Sequence, residues 1–304
     1  MILTLTPNPA LDVTYHVDRI AVGDTQRVDD PNEQAGGKGV NVARVLRQVG
    51  QDVLAVLPVG GATGTQLLHD LDRIDLPHVG VPVDTPSRRT VTVVDRSAGD
   101  NLVLAERGHP LSPSDLAAVV DAVDARLDQA RCLVVSGSLP PDTPLSMYAD
   151  LVSRAHGRGL PALVDTSGPG LLAAARAGAD LVKPNRHELR EALGLDDPVE
   201  GARALLLLGA ARVVVSLGGD GLLLVTADQV ARARLPEPLH GNPSGAGDAA
   251  VAALATGLAA NAAPADLART ATAWSAAAVL TPFAGALHPS YLDLGERVVL
   301  QQES

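Results

Sequence analysis

Short apolar runs alternate with longer segments of helical periodicity along most of the chain. Apolar runs predict buried strands at 2–6 and 53–57, and apolar residues recur at helical spacing over 39–49 and 64–74. The same alternation continues with strands predicted at 133–136, 162–164, 181–182 and 213–216, and with helices predicted at 114–126, 144–155, 186–193 and 199–208. This pattern predicts an α/β fold with a doubly wound, mainly parallel sheet flanked by helices.

Two segments depart from this pattern. Polar and apolar residues alternate over about 12–30 and again over 88–105. Alternation with period two is typical of strands with one solvent-exposed face, so we expect antiparallel strands there. The two segments can pair as one small β-sheet, which would form a lid over the carboxyl ends of the main strands. We therefore expect a single domain over 1–304 with these lid strands inserted.

The composition indicates an ordinary globular protein and excludes several classes. Apolar residues make up 46% and charged residues 19% of the chain, so it can bury a large core. The net charge of −11 argues against a nucleic-acid-binding protein and against attachment to an anionic membrane surface. No signal-peptide pattern or membrane-length apolar run is present, so we expect a cytoplasmic protein. The single cysteine, Cys132, excludes an intramolecular disulfide.

The segment 242–250 carries the strongest candidate chemistry. Gly245, Ala246 and Gly247 directly precede Asp248, and the apolar run that follows predicts a helix. Small residues let backbone N–H groups approach a ligand, and the positive end of a helix favours an anion such as phosphate. A carboxylate beside a phosphate is repulsive unless it accepts a proton from an attacking hydroxyl. The segment therefore predicts phosphoryl transfer with Asp248 as the base; the alternative is a first-turn aspartate that only complements the helix dipole.

A second Gly-rich loop, at 34–43, also leads into a predicted helix. Its Lys38 supplies a charge suited to phosphate, and Asn41 in the first helical turn can hydrogen-bond to a hydroxyl. The loop matches neither the P-loop nor the dinucleotide-binding pattern. Asp12 follows the first predicted strand, where it can accept two sugar hydroxyls, although a solvent-exposed turn aspartate would have the same sequence.

Three further stretches have both a structural and a functional interpretation. Asn185 and Glu188 have the spacing of a helix capping box, and they are also suited to face Mg²⁺ through water beside nucleotide phosphates. The stretch 216–221 is either a tight hairpin or a loop that contacts the nucleotide. Arg88 and Arg89 begin a predicted strand, where one of them would point inward and could bind a phosphate. Charges at such positions usually belong to a solvent-exposed edge strand.

Together these stretches resemble the PfkB family of carbohydrate kinases, also called the ribokinase superfamily, over about residues 2–290. The motifs that carry the resemblance are, in order, TPNPALD at 6–12, GGKGVNVAR at 36–44, SGSLPP at 136–141, VDTSG at 164–168, KPNRHE at 183–188, SLGGDG at 216–221 and GAGD at 245–248. The first two look like those of the hexose-phosphate branch, which comprises 1-phosphofructokinase, tagatose-6-phosphate kinase and the minor 6-phosphofructokinase.

The resemblance implies a ribokinase-like fold and an ATP-dependent kinase that uses Mg²⁺. Asp248 would deprotonate the acceptor hydroxyl, and the amides of Gly245, Ala246 and Gly247 would stabilise the transferring phosphoryl group. The residues expected to hold the sugar phosphate are Asp12, Gly37, Lys38, Asn41, Arg88 and Ser138. Those expected at the nucleotide are Lys183, Asn185, Ser216, Gly218, Gly221 and Gly247. Asn185 and Glu188 would face Mg²⁺ through water.

The resemblance also ranks the acceptors. Fructose 1-phosphate, giving fructose 1,6-bisphosphate, comes first, followed by tagatose 6-phosphate and fructose 6-phosphate. A kinase of an unphosphorylated sugar or nucleoside and a non-catalytic regulator are the alternatives, and Lys38 with Arg88 favours a phosphorylated acceptor. The stretch 105–110 departs from the sequence that many relatives have on the substrate side, so the sequence leaves the sugar open. In this family the lid often joins two chains, which implies a homodimer through the lid sheet.

Overall fold

The computed structural model describes residues 1–97 and 101–303, which form fourteen strands and ten α-helices. In chain order, the strands are β1 Ile2–Leu5, β2 Ala10–Val17, β3 Asn32–Gly36, β4 Val53–Val59, β5 His78–Pro82, β6 Arg88–Asp95, β7 Asn101–Ala105, β8 Cys132–Ser136, β9 Ala162–Asp165, β10 Leu181–Val182, β11 Val213–Ser216, β12 Leu222–Val225, β13 Val230–Arg234 and β14 Val299–Glu303. The helices are α1 Lys38–Gln48, α2 Gly61–Arg73, α3 Pro113–Leu127, α4 Ser146–His156, α5 Pro169–Arg176, α6 Arg186–Leu193, α7 Pro198–Leu208, α8 Ala246–Ala259, α9 Pro264–Val279 and α10 Tyr291–Arg297.

The main sheet of the described chain contains ten strands in the order β14-β13-β12-β11-β10-β9-β8-β1-β4-β5. In this spatial order, the seven strands β11, β10, β9, β8, β1, β4 and β5 pair in parallel, and β12, β13 and β14 continue the sheet as antiparallel strands. In the centre, Ile2 of β1 lies between Val53 of β4 and Cys132 of β8. The predicted doubly wound, mainly parallel α/β sheet is confirmed.

Alternate residues of the main strands fill two separate hydrophobic cores. Ile2 packs in one core with residues of α1, α2, α8 and α9, whereas Leu3 packs in the other with residues of α3, α4, α5 and α7. Every residue of β1 is buried, because a strand covered by helices on both faces has no solvent-exposed side. The continuous apolar runs in the sequence therefore mark the central strands. No helix in the described ranges is long and apolar enough to cross a bilayer.

The small sheet has the strand order β3-β2-β6-β7 and differs from the expectation in two respects. Pairing is antiparallel within β2–β3 and β6–β7, as expected, but β2 and β6 join in parallel. Both strands continue from parallel strands of the main sheet, β1 and β5, so they leave it in the same direction. The second strand of the first pair lies at Asn32–Gly36, beyond the predicted segment 12–30, and overlaps the start of the predicted Gly-rich loop. The second predicted segment, 88–105, includes residues 98–100, which lie outside the described ranges.

Candidate active site

Most of the predicted site residues meet at the carboxyl ends of the main strands. A cavity of about 750 Å³ lies between the inner face of the small sheet and the start of α8. Asp12, Lys38, Asn41, Gly245 and Asp248 line it, although they come from widely separated parts of the chain. The two Gly-rich stretches recognised in the sequence therefore face one common space.

Asp248 lies in the first turn of α8 and is only 7% exposed. Asn41 Nδ2 donates a hydrogen bond to Asp248 Oδ2 over 2.8 Å. Burial raises the pKa of Asp248 to about 7, and the charge of Asp165 adds to this effect. The hydrogen bond from Asn41 and the charges of Lys38 and Lys183 act in the opposite direction. A carboxylate whose pKa lies near neutrality is suited to general-base catalysis.

The start of α8 presents backbone N–H groups next to Asp248. Gly245 is the N-cap, with φ of 81°, and no side chain among the described residues caps the helix. A Cβ atom at Gly245 would lie 2.7 Å from Ala284 Cα, so only glycine fits there. The amide of Ala246 donates to Pro243 O, whereas those of Gly245 and Gly247 have no acceptor within the described part of the chain. The two glycine amides are therefore available to an anion, and the Ala246 amide, which the sequence also proposed, is already engaged.

Asp165 connects two lysines at the centre of the site. It ends β9 and is fully buried, with Oδ1 at 3.2 Å from Lys183 Nζ and Oδ2 at 3.5 Å from Lys38 Nζ. Ser136 Oγ donates to the same Oδ2 over 3.0 Å. Burial by itself would raise the pKa of Asp165, but the two lysines outweigh it and hold the pKa below its usual range. Asp165 therefore stays charged and fixes both ammonium groups.

Sequence reasoning assigned no role to Asp165 or Ser136, which appeared only within motifs. The available signal was their place at the carboxyl ends of predicted strands, the same argument that selected Asp12. Lys183 was predicted at the nucleotide, and its Nζ lies 3.5 Å from the position that a Cβ on Gly247 would occupy. The lysine is therefore next to the free amide at the start of α8.

Lys38 points toward this buried cluster. Its Nζ lies 3.6 Å from Glu188 Oε1, and the side chain is 39% exposed. Asp165 first, and Glu188 and Asp248 after it, raise the pKa of Lys38, so the ammonium stays charged. No contact in the described chain joins Lys38 to Arg88. The two cations that the sequence assigned to one phosphate have different neighbours: Lys38 lies beside Asp165 and Glu188, and Arg88 lies beside Asn8.

Asn185 and Glu188 form the capping box that their spacing predicts. Glu188 N donates to Asn185 Oδ1 over 2.8 Å, and Asn185 N donates to Glu188 Oε2 over 2.9 Å. Glu188 Oε1 takes no part in the capping box and lies beside Lys38 Nζ. The described ranges contain no group of three or more His, Cys, Asp or Glu side chains that could hold a metal. This donor set fits Mg²⁺ that is held mainly by nucleotide phosphates and water.

Asp12 lies on the small sheet, opposite Thr90 in register. Burial raises the pKa of Asp12 to about 6, while the Thr90 hydroxyl and the charges of Arg88 and Arg44 lower it. A Cβ atom at Gly36 would overlap Asp12 Oδ2, so glycine at this position leaves room for the carboxylate. Asp12 is therefore a half-buried hydrogen-bond acceptor that lines the same cavity as Asp248, rather than a solvent-exposed turn residue.

Arg88, and not Arg89, shares the inner face of the small sheet with Asp12. Its Nε donates to Asn8 O over 3.2 Å and its Nη1 to Glu106 O over 2.9 Å, while Nη2 has no acceptor in the described ranges. Arg89 is exposed. Asn8 Nδ2 in turn lies 3.4 Å from Ser138 Oγ. Arg88 and Ser138 therefore both contact Asn8, and the charge of Arg88 acts on Asp12.

The stretch 216–221 forms a hairpin turn between antiparallel β11 and β12, and its glycines line a second cavity of about 270 Å³. Gly218, Gly221 and Ala246 all line this cavity. Ser216 pairs with Asn185 in an isolated bridge, which joins this turn to the capping box. Both interpretations of the stretch are thus compatible, because a hairpin can also line a nucleotide cleft. Gly241 and Pro243 line both cavities, so the cleft leads to the start of α8.

Comparison with known proteins gives a family and several solved relatives. Residues 7–290 match the model of the pfkB family carbohydrate kinases. The tetrameric inhibited form of phosphofructokinase-2 from Escherichia coli superposes with a TM-score of 0.88 at 30% identity, covering 97% of this chain and 98% of that chain. The complex of the same enzyme with fructose-6-phosphate gives a TM-score of 0.87 at 31% identity, with 97% and 98% coverage. A protein from Thermotoga maritima described as a possible 1-phosphofructokinase shares the fold, with a TM-score of 0.88, 24% identity and 100% and 99% coverage.

Proposed function

The chain belongs to the pfkB family of carbohydrate kinases, and we propose that it transfers the terminal phosphoryl group of ATP to a phosphorylated ketohexose. Kinases of this family use ATP as co-substrate and transfer phosphate to a sugar hydroxyl. The acceptor proposed first is fructose 1-phosphate, which gives fructose 1,6-bisphosphate. Tagatose 6-phosphate and fructose 6-phosphate are the alternatives, and the fructose-6-phosphate complex of the Escherichia coli relative favours the last of these.

One observation carries the proposal of a phosphorylated acceptor. The guanidinium of Arg88 is half-buried beside Asn8 and Ser138, and it shares the inner sheet face with Asp12. Its two engaged nitrogens donate to backbone carbonyls, and no carboxylate in 1–97 or 101–303 accepts a hydrogen bond from the guanidinium. Burial lowers the pKa of Arg88, and the charges of Asp12 and Glu106 oppose this change. A phosphate on the sugar substrate would give the guanidinium an anion in direct hydrogen-bond contact.

The remaining residues support a transfer mechanism. Asp248 would accept the proton of the attacking hydroxyl, and Asp12 would orient the acceptor through its other hydroxyls. The amides of Gly245 and Gly247, with Lys38 and Lys183, would stabilise charge on the transferring phosphoryl group. Mg²⁺ bound with the nucleotide would supply further positive charge, and Glu188 and Asn185 are the residues that would face it through water.

The exposed strand β7 supports a homodimer through the small sheet. It is the edge strand of that sheet, and Leu102 and Leu104 on it are 45% and 56% exposed. Exposed apolar residues on an unpaired edge strand favour association. Analytical ultracentrifugation tests this proposal; a monomer at micromolar concentration would contradict it.

Arg88→Ala, with Arg89→Ala as the matched control, tests the proposed acceptor. Losing a charge-assisted bond to phosphate should raise KM for the sugar phosphate roughly 10- to 100-fold. The KM for ATP should change little, and Arg89→Ala should behave like the wild type because Arg89 is exposed. An unchanged KM in Arg88→Ala would remove the phosphate role of this residue while leaving the family assignment intact.

A further inference from the structure

A third cavity, of about 590 Å³, lies at the edge of the main sheet opposite the candidate active site. Its polar lining residues are Arg131, His156, Asp180, Arg212 and Asn261, and we call it the basal cleft. Arg131 directly precedes β8 and Arg212 directly precedes β11. The cleft therefore follows the amino ends of the strands, whereas Asp165 and the transfer site lie at their carboxyl ends.

The two arginines of the basal cleft are uncompensated. Neither guanidinium has an ion pair or a side-chain hydrogen bond to any residue in 1–97 or 101–303. Their backbones are fixed, since Arg131 N donates to Met1 O over 2.8 Å and Val182 N donates to Arg212 O over 3.1 Å. By contrast, the nearby Arg158 pairs with two aspartates. In a chain with a net charge of −11, two free guanidinium groups in one cavity are not explained by a general excess of cations.

Asp180 is the only carboxylate among the described residues that line the basal cleft. Its Oδ2 accepts a hydrogen bond from Ala162 N over 2.8 Å and lies 2.8 Å from His156 Nε2. Asp180 Oδ2 is therefore held by a backbone amide and an imidazole, and no contact ties the carboxylate to either arginine. The positive charge of the cleft remains available to a ligand.

The spacing of the arginines sets the size of that ligand. Arg131 and Arg212 begin strands separated by β9 and β10, so their Cα atoms lie on the order of 14 Å apart, or three strand spacings. Both side chains line one cavity, and each guanidinium can bind a phosphate through two N–H groups. We propose that the basal cleft binds a small molecule with two phosphate groups, at a site separate from phosphoryl transfer.

Calorimetric titration of the full chain with inorganic pyrophosphate tests this site. Arg131→Gln with Arg212→Gln should weaken binding roughly tenfold or more, because each substitution removes a charge-assisted hydrogen bond to phosphate. The kinetic constants of phosphoryl transfer should stay at wild-type values, since neither residue lines the transfer site. The matched control is Arg203→Gln with Arg297→Gln, which removes the same charge from two exposed positions on α7 and α10.

Two results would overturn the proposal. One is equal pyrophosphate affinity in the wild type and the Arg131/Arg212 variant, even if the melting temperature falls, because the arginines would then serve only the carbonyl ends of nearby helices. The other is an equal loss of affinity in both double variants, which would reflect overall charge alone. Asp180→Asn gives a second test: it removes the one repulsive charge and should tighten binding, so unchanged or weaker binding would contradict the proposal.

Discussion

Asn41 and Asp248 lie 207 positions apart in the sequence, yet Asn41 Nδ2 donates a 2.8 Å hydrogen bond to Asp248 Oδ2. The bond joins the first turns of α1 and α8, the two helices that follow the Gly-rich stretches. Asn41 Oδ1 is buried and has no partner within the described chain. A buried hydrogen-bond acceptor without a partner lowers the stability of the fold, and a hydroxyl of the sugar substrate could donate to it. Asn41 can therefore contact the substrate and the candidate base at the same time.

We expect the pH dependence of kcat to report this hydrogen bond. Because Asp248 must be unprotonated to act as a base and its pKa is about 7, kcat should rise with pH through about 7. Asn41→Ala removes a hydrogen bond that lowers this pKa, so the rise should move about one unit toward higher pH. Thr90→Val, which removes a bond to Asp12 instead, is the control and should leave the rise in place. If the pH profile of Asn41→Ala stays in place or moves toward lower pH, Asn41 does not lower the pKa of the catalytic base.

Replacing the candidate base should lower the activity while the protein still folds and binds ATP. Asp248→Asn should lower kcat at least about 100-fold while ATP still binds. Nearly full activity would overturn the assignment of Asp248 as the base. The variant keeps an oxygen that can accept from Asn41, so a lost fold is not expected.

The same variant should be more stable than the wild type above neutral pH. The folded-state pKa of Asp248, about 7, lies above the unfolded value of 3.8, so its contribution to stability is present at low pH and is lost as pH rises through about 7. Removing the buried charge should then raise the free energy of unfolding on the order of 1–3 kcal/mol at pH 8, with a smaller gain at pH 5. Thermal unfolding at the two pH values measures this; a larger gain at pH 5 would contradict the raised pKa.

Lys38 and Arg88 should produce different kinetic defects. Lys38 contacts Asp165 and Glu188 near the start of α8, whereas Arg88 lies beside Asn8. Lys38→Met should therefore lower kcat, roughly 100-fold for a lost charge on the transferring group, with little change in KM for the sugar phosphate. Lys38→Arg is the control that keeps the charge. A defect confined to the KM of the sugar phosphate would instead support the role predicted from the sequence, in which Lys38 binds the phosphate of the sugar.

The α/β architecture was predictable because central strands buried on both faces have continuous apolar sequences, as in β1. The polar strand β3 was not, since Asn32–Gly36 has no apolar period and forms a strand only through its pairing with β2. Helix α9 was also missed, because its many alanines conceal the helical period that marks α1. Elements whose conformation depends on a distant partner carry little local signal.

In the candidate site, too, some features had a local sequence signal and others depended on distant residues. The sequence selected Asp12, Asn41 and Asp248 as candidate site residues, and the structure shows that they line one cavity. The direction of Lys38 could not be predicted, because its partner Asp165 lies 127 positions away, a separation that only the folded chain shows. The choice between Arg88 and Arg89 likewise depended on strand register, which the pairing of β2 with β6 sets.

The most direct test of the proposed function is to measure which sugar the protein phosphorylates. ADP release with ATP and Mg²⁺ should be compared across fructose 1-phosphate, fructose 6-phosphate, tagatose 6-phosphate, fructose and ribose. We expect one phosphorylated ketohexose, fructose 1-phosphate first, to exceed fructose and ribose in kcat/KM by about 100-fold or more, since only a phosphate engages Arg88. Turnover of fructose or ribose in preference to every sugar phosphate would contradict the proposed acceptor.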